Sequence, residues 1–101
     1  MPKVSIDHDT QLTAADAFNK IKTFFENDQD IRRFDSNLKC EFTDANMTGK
    51  AHGGQFKADI SVTAKGSGSS VKVVVDLPLL LAPFKGKVQE TIQRKLGKYL
   101  A

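Results

Sequence analysis

The sequence predicts an α+β protein built on a single antiparallel β-sheet with helices packed on one face, in the order β-α-β-β-β-β-α. Three observations carry this expectation. Apolar and polar residues alternate with period two in five separate stretches, the mark of strands with one buried face. Two further stretches repeat their apolar residues at helical spacing, one before and one after the last four strands. The connections among those four strands are too short for parallel crossovers, so the strands form an antiparallel meander. With 101 residues and no composition break or repeat, the chain is expected to be one domain, 1–101, large enough for a core without disulfide or metal staples.

The first strand is marked by Val4, Ile6 and His8 on one side, with Ser5 and Asp7 opposite. Leu38, Cys40 and Phe42 alternate with Lys39, Glu41 and Thr43 in the second. After an Asp44-Ala45-Asn46 turn, Met47, Gly49 and Ala51 alternate with Thr48, Lys50 and His52. Gly53-Gly54 breaks the chain. Phe56, Ala58, Ile60 and Val62 then share a face, and Val71, Val73, Val75 and Leu77 follow a turn expected over Gly66-Ser67-Gly68-Ser69-Ser70.

The first helix begins at Thr13, whose hydroxyl is placed to cap the chain, with Asp16 three residues on favouring the positive helix end. Ala14, Ala17, Phe18, Ile21 and Phe25 form its apolar stripe, widened by Phe24. Asn27 to Asn37 is polar and helix-breaking, with Ile31 and Phe34 available to anchor a short extra turn. The last helix is expected from about Phe84, behind Pro83, to Leu100, with Val88, Ile92, Leu96 and Tyr99 or Leu100 on one stripe. Its other faces carry Lys85, Lys87, Arg94, Lys95 and Lys98 against the single carboxylate Glu90. This basic face is read first as a solvated surface, and second as an attractor for anionic partners.

Between the fifth strand and the last helix, Leu77, Leu79, Leu80, Leu81 and Phe84 occupy a joint bounded by Pro78 and Pro83, where a polar turn would ordinarily lie. Two roles are open for it. The leucines seal the end of the sheet, or some of them form an adhesive surface rimmed by Lys85 and Lys87. In an extended segment successive side chains alternate, so three adjacent leucines cannot all enter one core. Leu79, Leu80, Leu81, Phe84, Lys85 and Lys87 are therefore the candidate surface- or ligand-binding residues.

Other chemistries find little support. Apolar residues at 40% and charged residues at 27% are those of an ordinary folded protein. His8 and His52 come from different strands and lack metal-ligand spacing, so neither a metal site nor a catalytic centre is expected. Cys40 falls on the apolar side of its strand, where desolvation suppresses the thiolate, and as the single cysteine it cannot form an internal disulfide. Gly49-Lys50-Ala51-His52-Gly53-Gly54 lacks the pattern of a phosphate loop, and Asp28-Gln29-Asp30 lacks the glycine and distal Glu of a calcium loop; it reads as a solvated loop. Nucleic acid is the weakest partner class, because Phe42 and Phe56 share the core face while Lys39, Lys50, Lys57 and Lys72 on the other face are mixed with Glu41 and Asp59. The amino terminus has no signal-peptide core and no run approaches the ~18 apolar residues of a membrane span, so a cytoplasmic protein is expected.

The sequence from Val73 to Leu96, which contains Leu77-Pro78-Leu79-Leu80-Leu81-Ala82-Pro83-Phe84-Lys85-Gly86-Lys87-Val88 and then Ile92, resembles the polyhydroxyalkanoic acid system protein family of bacteria. The Val4-Ser5-Ile6-Asp7-His8 start and the Thr13-Ala14-Ala15-Asp16-Ala17 helix extend the resemblance. It implies a non-enzymatic protein without cofactor, associated with the polyhydroxyalkanoate storage system and binding either the surface of the polyester granule or a hydrophobic ligand. The alternative is a small acyl- or lipid-ligand carrier, or an accessory protein that binds a partner through the Leu77–Phe84 joint. The element order is also similar to a minimal helix-grip architecture of the kind found in lipid-carrying domains. A cavity under the last helix would favour carriage, and a filled core with exposed leucines would favour adhesion.

Overall fold

The computed structural model describes residues 3–54 and 56–101, and for Phe34 the backbone alone. Five strands, β1 (Lys3–Thr10), β2 (Lys39–Thr43), β3 (Thr48–His52), β4 (Lys57–Lys65) and β5 (Gly68–Asp76), form one sheet in the order β1-β5-β4-β3-β2. Every pairing is antiparallel. The expected meander is present, and β1 returns to pair with β5 through Lys3↔Asp76 to Thr10↔Ser69. Helices α1 (Ala14–Asn27), α2 (Gln29–Phe34) and α3 (Lys85–Tyr99) complete the chain.

The alternation places its apolar members where predicted. Val4 and Ile6 of β1, Ala58, Ile60 and Val62 of β4, and Val71, Val73 and Val75 of β5 are buried on one face. Against them lie Ala17, Phe18, Ile21, Phe24 and Phe25 of α1 and Ile92, Leu96 and Leu100 from the last helix and its end. Each is driven there by the removal of apolar surface from water, about 25 cal/mol per Å². Thr13 caps α1 as expected, accepting the Asp16 amide at 3.2 Å.

Several details depart from the sequence-based expectation. The β4–β5 turn is confined to Gly66-Ser67, with Gly66 at φ +60°, and β5 begins at Gly68. Ser69 is buried rather than part of a flexible turn, because its hydroxyl donates to the Leu12 carbonyl at 2.9 Å. Met47 lies in the β2–β3 turn at φ +52°, so β3 starts one residue later than the alternation implies. The stretch expected as a polar linker contains α2, held by Ile31, which is buried. The anchor expected at Phe34 falls outside the described side chains. Finally, α3 starts at Lys85, and Pro83 sits not at its first position but inside a preceding 3₁₀ turn, Leu79–Phe84.

Candidate functional site

The joint is helical, not extended. Pro78, with φ −61°, leads into the 3₁₀ turn, and the Leu81 amide donates to its carbonyl at 2.9 Å. A 3₁₀ helix turns by a third of a circle per residue, so three consecutive leucines point in three directions. Leu77, just before the turn, is fully buried and seals the end of the sheet. Leu81 is half-buried against the core, whereas Leu79 is 77% and Leu80 88% exposed. Phe84 lies one 3₁₀ turn after Leu81 and is 51% exposed. Within the joint, therefore, Leu77 plugs the sheet, and Leu79 and Leu80 project into solvent. Lys85 and Lys87 follow directly, both exposed.

Beside the joint, a cleft of about 300 Å³ opens between α3, α2 and the end of the sheet. Phe84, Lys87, Val88, Thr91, Ile92 and Lys95 recur at three- and four-residue steps and present one face of the last helix to it. Phe24, Ile31, Phe56 and Val75 form the opposite wall. Of the six predicted surface residues, Phe84 and Lys87 line this cleft, and Leu79, Leu80, Leu81 and Lys85 do not.

The inner end of the cleft is fixed by Asp28, which the sequence alone places in a solvated loop. It is buried, and its backbone amide ends α1 on the Phe24 carbonyl at 2.9 Å. Its Oδ1 caps α2 by accepting the Asp30 and Ile31 amides at 3.0 and 3.1 Å. Its Oδ2 accepts from Lys95 Nζ at 3.1 Å and Tyr99 Oη at 3.0 Å, tying α3 to the α1–α2 corner. Burial alone would raise the Asp28 pKa, but the Ile31 amide, Lys95 and Tyr99 outweigh it and hold the carboxyl below its ordinary value. Asp30 reaches Lys95 at 2.6 Å and is likewise held down by that bond, which in turn raises the lysine. The signal for this cluster was present: Asp28 follows the last apolar residues of one helix and precedes Ile31 by capping distance. Its distant partners, Lys95 and Tyr99, leave no local trace.

The remaining candidates behave as structural groups. Cys40 is half-buried, its Sγ donates to the Phe25 carbonyl at 3.6 Å, and burial pushes its thiol pKa up. His8 and His52 stand on β1 and β3. Among the described residues, no group of three or more His, Cys, Asp or Glu side chains is placed to hold a metal ion, and no helix is long and apolar enough to cross a membrane.

A long final helix laid on an antiparallel sheet, with a cleft beside it, defines a helix-grip fold. The crystal structure of TTHA0849 from Thermus thermophilus superposes with a TM-score of 0.64 at 11% identity, over 98% of this chain and 94% of that one. That of Ara h 8.0201 does so with a TM-score of 0.57 at 13% identity, over the same shares of the two chains, 98% and 94%. At such identities the likeness is one of fold. The family described as "Putative polyhydroxyalkanoic acid system protein" matches residues 4–100, and the chain belongs to it. No curated protein matches the sequence.

Proposed function

We propose that this chain is a non-enzymatic binding protein of the polyhydroxyalkanoate system that docks on the granule surface through its leucine joint. The observation that carries this reading is the exposure of Leu79 and Leu80, at 77% and 88%, on a turn rimmed by Lys85 and Lys87. Two adjacent leucines this far exposed, with half-exposed Phe84 on the same turn, concentrate apolar surface in water at one tip of the molecule. The proline-led 3₁₀ turn adds to the reading, because a projecting apolar tip held by a short hydrogen-bonded turn loses little further freedom on binding. A binding role also fits the cluster around Asp28: Lys95 is engaged with Asp28 and Asp30, and Tyr99 with Asp28.

Sedimentation with purified polyester granules tests the reading. Burying a fully exposed leucine contributes roughly 1.5 to 3 kcal/mol, so loss of one contact is measurable. Leu80→Ser is expected to leave the thermal midpoint nearly unchanged and to move most of the protein from the granule pellet to the supernatant. A folded Leu79→Ser, Leu80→Ser double variant that still pellets with the granules would show that the contact lies elsewhere.

A further inference from the structure

We infer that the cleft between α3 and α2 is a binding site for one unbranched fatty carboxylate, with Lys87 holding the carboxylate. This goes beyond granule docking and does not depend on it, since the cleft and the exposed leucines are separate surfaces that share only Phe84 and the first turn of α3.

The size of the cleft sets the first limit. A volume of about 300 Å³ is at the small end for ligand sites and holds on the order of ten groups of ~30 Å³ each. That suits one apolar chain lying along the cleft. The walls set the second: Phe24, Ile31, Phe56, Val88 and Ile92 offer an apolar lining that stabilises methylenes and leaves a polar chain unsatisfied.

Charge decides the head group. Three of the four charged lining residues are mutually engaged, because Lys95 pairs with both Asp28 and Asp30, and Asp30 also lies 3.7 Å from Arg33. Lys87, exposed and one turn from Thr91 on the same helix face, has no ion-pair partner among the described residues. An anion with an apolar tail can pair with it without breaking an existing bond. A cationic amphiphile would meet Lys87 as a like charge, and an alcohol would gain from its chain alone.

Titration calorimetry with decanoate below its micellar concentration, with decanol and decylamine as controls, tests this. Decanoate is expected to bind one per chain and more tightly than either control. Lys87→Glu should weaken decanoate roughly fivefold, as expected for reversing an exposed charge contact, and leave decanol unchanged. Val88→Trp should fill the cleft and abolish decanoate binding while the protein still pellets with granules; Leu80→Ser should show the reverse pair of results, so failure of one inference is distinguishable from failure of the other. The site is refuted if decanol or decylamine binds as tightly as decanoate, or if folded Val88→Trp retains full affinity. Should Val88→Trp not fold, the Lys87→Glu comparison decides: equal weakening of decanoate and decanol, or none, overturns the assignment.

Discussion

Asp28 shows how much one buried carboxylate can hold together. It ends α1, caps α2 and anchors α3, with four side-chain acceptor contacts satisfied by two amides, an ammonium and a phenol. Asp28→Ala should lose the cap and strand Lys95 with Asp30 alone, at a cost of about 2 to 3 kcal/mol in urea unfolding. Asp28→Asn retains an amide-accepting oxygen and should cost less, so the difference between the variants separates capping from charge. The sign of the pH effect follows from the lowered pKa. A carboxyl held below its unfolded value of 3.8 adds stability above that pH and loses it as pH falls through the folded value. The gap between parent and Asp28→Asn should therefore begin to narrow as pH falls below about 4 and go on narrowing towards the folded value; a constant gap down to pH 2 would remove the ionic part of this account. This residue also marks a limit of reading along the chain. A polar stretch between helices looks solvated until the partners 67 and 71 positions away are in view.

At the scale of the element, sequence periodicity is most informative where one face of a strand or helix is buried, as in β4, β5 and α1. It is least informative where the chain turns. The sequence argument for the joint at Leu79–Phe84 assumes an extended segment, and its conclusion that the leucines diverge survives only because a 3₁₀ turn separates them as well. The position of Gly49 within β3 is likewise visible in the sequence, but not its reason. A Cβ there would overlap the ring of Phe42, which lies across the neighbouring strand and meets Phe18 edge-on at 5.8 Å. Gly49→Ala should displace that ring and destabilise the protein by roughly 1 to 3 kcal/mol despite its small size. If its unfolding midpoint matches the parent's, Phe42 has room to move and the glycine is incidental.

Over the whole molecule, the single sheet with its final helix is legible because each strand's buried face points to the same side, leaving one arrangement that covers it. The cleft is not, since it is made by residues from α1, α2, β5, the 3₁₀ turn and α3, whose approach no spacing records. The basic face also changes meaning in three dimensions. Lys95 is occupied internally, so Lys85 and Lys87 carry the positive charge nearest the exposed leucines. Replacing both with Gln should weaken granule binding mainly at low salt, where screening is least. Equal binding by the variant at low ionic strength would leave these lysines as a solubility device. The pairing of β1 with β5, reinforced by the bond from Thr10 Oγ1 to the Leu100 carbonyl at 2.7 Å across 90 positions, has a consequence for assembly in time. The β2–β5 hairpins join near neighbours and can form early, but β1 has no strand to pair with until β5 exists, and α3 has no complete floor until β1 arrives. Val4 and Ile6, buried in the folded chain, therefore stay uncovered until all of β5 is available to pair with β1, and that interval is the one in which this sheet is most open to wrong pairings.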